Sequence, residues 1–276
     1  MTITAQSGLQ SVAAAFGCAR AARRGAFIPY LCAGDPDLAT TEALLVALGE
    51  AGADLIEFGI PYSDPLADGP TIAAAAQRAL DAGTTIEAAL QCAARARRRG
   101  APPLIAFTYL NPVLQYGVER FADALFSADA CGAIVPDVTF EEGGRLRTAF
   151  QARSLALPLL IAPTTPPQRA AAIAARSSGF TYLVSRMGVT GARHEPDFSW
   201  LAQRAAALRT SSDVPIAIGF GISTPEHVRR TCAIADGAIV GSALIDAYAG
   251  TRGDEAVGRT RALAAELAAA TSATSP

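Results

Sequence analysis

At 276 residues, the chain is long for an average domain and of ordinary length for one α/β barrel. Hydrophobic residues make up 51 % and charged residues 17 %, which supplies a large core and excludes a disordered chain. The formal net charge of −2, with no basic stripe, argues against nucleic acid as a partner.

In chain order, the first element is a helix around Gln10–Arg24, ahead of any strand and suited to closing the bottom of a barrel. Eight short apolar runs follow: Phe27–Cys32, Leu55–Ile60, Leu104–Tyr109, Ala133–Asp137, Leu157–Ala162, Thr181–Ser185, Ile216–Phe220 and Ala238–Ser242. Between them lie Ala-rich stretches with helix-compatible spacing, such as Thr41–Ala51, Ile86–Arg99 and Phe198–Leu208. Asp37 and Ser223-Thr224-Pro225-Glu226 read as helix starts. The arginines of Arg95–Arg99, just before Gly100, suit the negative end of a helix dipole. Strands alternating with helices imply a parallel sheet buried on both faces. Eight such units close into a (β/α)₈ TIM barrel, the alternative being a doubly wound open sheet. No linker divides the sequence, so one domain is expected over 1–276.

Some chemistries are excluded by what is missing. All 23 basic side chains are arginine, so this chain offers no Lys amine for a Schiff base or for anchoring pyridoxal phosphate. Two histidines, His194 and His227, cannot build a three-His zinc site, and no metal is expected. The start of the chain has no secretory pattern, and no apolar run reaches the roughly 20 residues needed to cross a bilayer. The five cysteines form no C-x-x-C pair. A reduced, cytoplasmic protein is expected.

In barrels the reacting groups sit at the C-terminal ends of strands and in the loops that follow. Glu57 stands inside the second apolar run, and a period of two points it inward while Ile56 and Phe58 face the outer helices. A carboxylate there is costly without a partner, and no Arg lies on a neighbouring strand segment. Asp68 follows in the loop rimming the same strand, among the turn formers Pro65, Gly69 and Pro70. It is a plausible second group on one substrate. Gly219-Phe220-Gly221-Ile222-Ser223 and Gly237-Ala238-Ile239-Val240-Gly241-Ser242 each end a strand in glycine and hydroxyl before a helix. Backbone N–H groups there can hold phosphate without Lys, at the position after strands seven and eight that this fold uses for phosphate. Gly188 and Gly191 mark a loop suited to closing over the mouth.

Glu57-Phe58-Gly59-Ile60-Pro61-Tyr62-Ser63-Asp64-Pro65-Leu66-Ala67-Asp68-Gly69-Pro70 closely resembles the signature of tryptophan synthase α subunits. Gly34-Asp35-Pro36, Tyr109-Leu110-Asn111-Pro112, Ser185-Arg186-Met187-Gly188-Val189-Thr190-Gly191 and Gly219-Phe220-Gly221-Ile222-Ser223 are similar to further blocks of that family, in the same order. The resemblance runs from about Phe27 to Ser242. It implies a lyase of tryptophan biosynthesis that splits indole-3-glycerol phosphate into indole and glyceraldehyde 3-phosphate. It further implies Glu57 as general acid/base, Asp68 on the indole N–H, Tyr182 beside both, and Thr190 contacting Asp68. Phe27, Tyr109 and Phe220 would line the indole pocket, and the backbone of Gly191, Gly221, Gly241 and Ser242 would bind phosphate. No cofactor is implied for this chain. Pyridoxal phosphate would belong to a β-subunit partner in an α₂β₂ heterotetramer.

The sequence departs from the family pattern at Cys32, Phe107, Gln115, Thr139 and Phe140. None of these changes alters Glu57 or Asp68. Segments Asn111–Gln115 and Asp137–Phe140 resemble those that face the β subunit, so a stand-alone lyase releasing indole is one alternative. A catalytically idle subunit that only activates its partner is a second. An isomerase or decarboxylase acting on a phosphorylated substrate would leave the Glu57–Pro70 block unexplained.

Overall fold

The computed structural model describes residues 6–185 and 195–272. Eight strands are present: β1 (Ala26–Cys32), β2 (Ile56–Gly59), β3 (Leu104–Phe107), β4 (Ala130–Ile134), β5 (Leu159–Ile161), β6 (Thr181–Val184), β7 (Ile216–Gly219) and β8 (Gly237–Val240). They form one sheet in the order β4-β3-β2-β1-β8-β7-β6-β5, and every ladder is parallel. The β1–β8 pairing, Ala26 to Gly237 through Pro29 to Val240, joins the two ends of the chain. It decides for the barrel over the open sheet.

Closure between β4 and β5 rests on a parallel bridge from Gly132 to Ala156. The Ala133 N–H donates to the Ala156 carbonyl at 3.1 Å, and the Ala156 N–H to the Cys131 carbonyl at 2.7 Å. Gly132 has φ +151, and a Cβ there would stand 1.9 Å from the Ala156 oxygen. Only glycine lets the two backbones approach this closely. The same residue moves the predicted start of β4, expected at Ala133 and observed at Ala130. The strand ends at Ile134, ahead of Pro136. Asp137 instead accepts the Leu110 N–H at 2.9 Å, tying the loop after β4 to that after β3.

The helices follow their capping residues. Asp37 accepts the Thr40 N–H and starts Leu38–Glu50, and Thr224 accepts the His227 N–H ahead of Pro225–Cys232. The N-terminal helix Gly8–Ala21 carries a capping box formed by Ser7 and Gln10 and ends three residues before the expected Arg24, because Arg23 turns left-handed at φ 56. Its buried face, Val12, Ala15, Phe16 and Ala19, covers the N-terminal ends of the strands. There Phe16 meets Phe180 at 5.7 Å, and Gly8 lies against the Cys131 carbonyl. The Ile86–Arg98 helix ends in Arg95, Arg97 and Arg98. Arg95 and Arg99 also both bond Glu42, so the basic cluster has ion-pair partners as well as a helix end.

Strand side chains fill the barrel and its outer interface with the helices. Phe27, Ile28, Ile56, Phe58, Ile105 and Ile218 are all buried. Each contributes roughly 1.5–3 kcal/mol relative to exposure, and together they make the frame stiff enough to hold a carboxyl where it is not solvated.

Candidate active site

At the C-terminal mouth, a cavity is lined by Glu57, Asp68 and Tyr182 together with Tyr30, Phe107 and Phe220. Gly221, Gly241 and Ser242 line it as well. Glu57 lies between Tyr30 on β1 and Ile105 on β3 in register and is 2 % exposed. Among the described residues its Oε1 has no hydrogen-bond partner, and it forms no salt bridge. Burial, and secondarily the charge of Asp68, pushes its carboxyl up to about 8. It is therefore mostly protonated at neutral pH, with one oxygen free for a ligand.

Asp68 comes from the loop before the helix Pro70–Asp81, whose N-cap is Gly69. Burial raises its carboxyl to about 6, against the lowering effect of a hydrogen bond from the Tyr109 hydroxyl. The same hydroxyl accepts the Ala67 N–H at 3.1 Å. Tyr62 packs on Tyr109 at 5.4 Å and accepts a bond from Asn111 at 3.3 Å. These contacts hold the loop after β2 against the loop after β3 and fix where Asp68 can reach. At neutral pH the two carboxyls therefore differ, Glu57 mostly neutral and Asp68 mostly ionised.

Tyr182 on β6 packs edge-on against Phe220 at 5.5 Å. Phe220 and Gly221 are consecutive left-handed residues, at φ 67 and φ 100. That turn brings the backbone after β7 into the cavity, and the Ser185 hydroxyl bonds the Phe220 carbonyl to hold it. Gly241 and Ser242 stand where β8 meets the helix Ser242–Tyr248. The glycine–hydroxyl ends of β7 and β8 thus face one cavity with the two carboxyls.

Of the expected site residues, Glu57, Asp68, Tyr182, Phe220, Gly221, Gly241 and Ser242 line the cavity. Tyr109 stands behind Asp68 and does not line it. Phe27 is placed elsewhere: it is fully buried, three residues from Tyr30 on the same strand and therefore on the opposite face. Its N–H donates to Asp54, and Tyr30 and Phe107 supply the aromatic wall instead. Thr190 and Gly191 lie outside the described residues. Tyr30 was not among the expected residues, although the alternation along β1 marks it as inward. Among the described residues no group of three His, Cys, Asp or Glu side chains could hold a metal ion. No helix there is long and apolar enough to cross a membrane.

The model of the family described as tryptophan synthase alpha chain matches residues 16–272. The chain belongs to that family. The tryptophan synthase alpha chain of Gloeobacter violaceus is 48 % identical over 249 residues, covering 90 % of each chain. That of Prochlorococcus marinus is 50 % identical over 238 residues, covering 85 % of this chain and 86 % of its own. A structure of Mycobacterium tuberculosis tryptophan synthase aligns with a TM-score of 0.87 at 38 % identity, covering 94 % of this chain and 97 % of that one. As a tryptophan synthase alpha chain, it is the lyase of tryptophan biosynthesis that cleaves indole-3-glycerol phosphate to indole and glyceraldehyde 3-phosphate.

Proposed function

We propose that Glu57 and Asp68 divide the acid/base and electrostatic work of this cleavage, with phosphate held by the backbone at Gly221, Gly241 and Ser242. The observation that carries this reading is Glu57 itself, a buried carboxyl with an unpaired oxygen facing a cavity that also holds Asp68. Glu57 in its protonated form gives a proton to indole C3, and the ring takes up positive charge at its nitrogen. Ionised Asp68, accepting the indole N–H, stabilises that charge. Glu57, now a carboxylate, takes the proton of the hydroxyl on the adjoining carbon. As that O–H bond breaks the aldehyde forms, and the carbon–carbon bond releases its electron pair to the ring. The proton given is regained, so one carboxyl serves both steps. Tyr182 packs beside the carboxyls and restricts the space for water. By resemblance, Thr190 contacts Asp68 and the backbone of Gly191 joins that of Gly221, Gly241 and Ser242 in binding phosphate. Carboxylates, phenols and backbone are sufficient for every step, and one barrel over 1–276 supplies them all.

The partner is a β subunit in an α₂β₂ assembly, which carries the pyridoxal phosphate, and the compartment is the cytoplasm. Supporting the partner are two apolar side chains on the mouth side, Leu66 at 76 % and Leu114 at 53 % exposure. Leu66 follows β2, and Leu114 follows β3, standing between Asn111 and Gln115 in the helix Leu110–Tyr116. Exposed apolar side chains at that rim suit a protein contact. The test is to incubate the purified chain with indole-3-glycerol phosphate, with and without a β subunit, and to measure indole and glyceraldehyde 3-phosphate. Equal amounts of both products support the reaction, and no product under either condition overturns it.

A further inference from the structure

The cavity is lined by a second phenol, built into the wall in the same way as Tyr182. Tyr182 on β6 leans across to Gly219 on β7, where a Cβ would stand 2.2 Å from the tyrosine oxygen. Tyr30 on β1 leans across to Gly59 on β2, where a Cβ would stand 2.1 Å from its oxygen. Each tyrosine is in register with the residue two before its glycine, Ala217 for Tyr182 and Glu57 for Tyr30. The same construction therefore occurs twice. Only at β1/β2 does it place a phenol above a carboxyl.

The Tyr30 ring is held edge-on by Phe107 at 6.0 Å, and the residue is 5 % exposed. Its hydroxyl makes no hydrogen bond among the described residues. Burial, with the charges of Cys32, Asp68 and Glu57 behind it, keeps the phenol well above its ordinary range, so it is a donor at any working pH. Its oxygen is not among the fully buried polar atoms left without a partner, so it opens onto the cavity that the residue lines, where a ligand can accept from it. Across the strand pair, Gly241 stands so close that a Cβ there would be 3.5 Å from the Tyr30 Cβ. Tyr30 thus lies between Glu57 and the glycine–hydroxyl end of β8.

We propose that Tyr30 contacts substrate, donating a hydrogen bond to the middle hydroxyl of the glyceryl chain, one carbon nearer the phosphate than the bond that breaks. This rests on the reading of Glu57 given above. The assignment follows by matching donors to acceptors. The indole N–H needs an acceptor and has Asp68, and the phosphate needs N–H groups and has the backbone after β7 and β8. The reacting hydroxyl must donate to Glu57, so the middle hydroxyl is the group left to accept at this depth. Holding it restricts rotation of the chain and keeps the reacting O–H aimed at Glu57.

Tyr30→Phe removes one oxygen and keeps the ring packing, so the fold is retained. The variant is expected to lose about tenfold in kcat/KM on indole-3-glycerol phosphate, the size of one neutral hydrogen bond, with the shape of its pH profile unchanged. On the analogue lacking the middle hydroxyl, wild type and variant should turn over at the same rate. The same pattern is expected in calorimetric binding: a loss for the full substrate in the Glu57→Gln background, and none for the deoxy analogue. Equal losses on both compounds would show a merely structural role and overturn the proposal, as would no loss on either. Failure of wild type to cleave the substrate would defeat the reading of Glu57 instead, and the binding arm would still decide the Tyr30 contact.

Discussion

Glu57 carries a cost in the folded chain that an unfolded one does not bear. Its carboxyl titrates near 4.5 when solvated and is raised to about 8 in place. Because the folded value is the higher, its contribution to stability is fully present below about 4.5 and is lost as pH rises towards 8. Glu57→Gln has no such group, so the difference in unfolding temperature should shift in favour of the variant as pH rises between those values, as a pH series of thermal melts would show. An unchanged difference across the series would mean that the carboxyl is not buried as described. The same two carboxyls set the pH dependence of turnover. Activity requires Asp68 ionised and Glu57 protonated, so kcat/KM should rise near pH 6 and fall near pH 8, as apparent values of the pair. A profile flat from pH 5 to 9 would contradict the assignment. At this scale the sequence was informative where a charge interrupts an apolar run, which is how Glu57 shows itself. Tyr30 was hidden because an aromatic in a buried strand looks the same whether it packs or binds. Phe27 shows the converse, an aromatic carried over by resemblance that the strand's alternation turns away from the mouth.

At the level of elements, glycines decide what the strands can do. Gly132→Val would drive side-chain atoms into the Ala156 backbone and force a left-handed φ on a branched residue. The expected loss is roughly 2–4 kcal/mol, read as a lower urea midpoint. A midpoint within error of wild type would mean that the β4–β5 bridge does not close the barrel. Gly241→Leu should block the approach to the backbone at β8 and raise the apparent constant for the phosphorylated substrate much more than for its unphosphorylated analogue. Equal effects on both would place the phosphate elsewhere. The eight strands and the capped helices were legible because short branched runs, Asp37 and Thr224 are local signals. The start of β4 was not. Gly132 reads locally as a breaker, and only its contact with Ala156, a residue 24 positions on, explains it as part of a strand.

Over the whole molecule, closure by β1 and β8 brings residues from opposite ends of the chain to one mouth, so Tyr30, Glu57, Tyr182 and Gly241 share a cavity. Hydrophobic periodicity could not choose between a closed and an open sheet, since both use the same buried parallel strands. The order of the family-like blocks carried that information. The β subunit belongs at this scale too. If docking favours the closed mouth, only its differential affinity for closed over open raises turnover. A coupling of about 1–3 kcal/mol corresponds to roughly 5–150-fold activation. Titration with a β subunit should show saturable binding with activation in that range, and full activity alone with no binding would make this a free-standing indole-releasing lyase.

The most direct test of the central claim is the rate of indole formation from indole-3-glycerol phosphate by wild type and by Glu57→Gln, at pH 7 and saturating substrate. Gln keeps the shape and cannot exchange the proton. The account predicts a fall of at least ~10²-fold in turnover with substrate binding largely retained. Turnover close to that of wild type would contradict it.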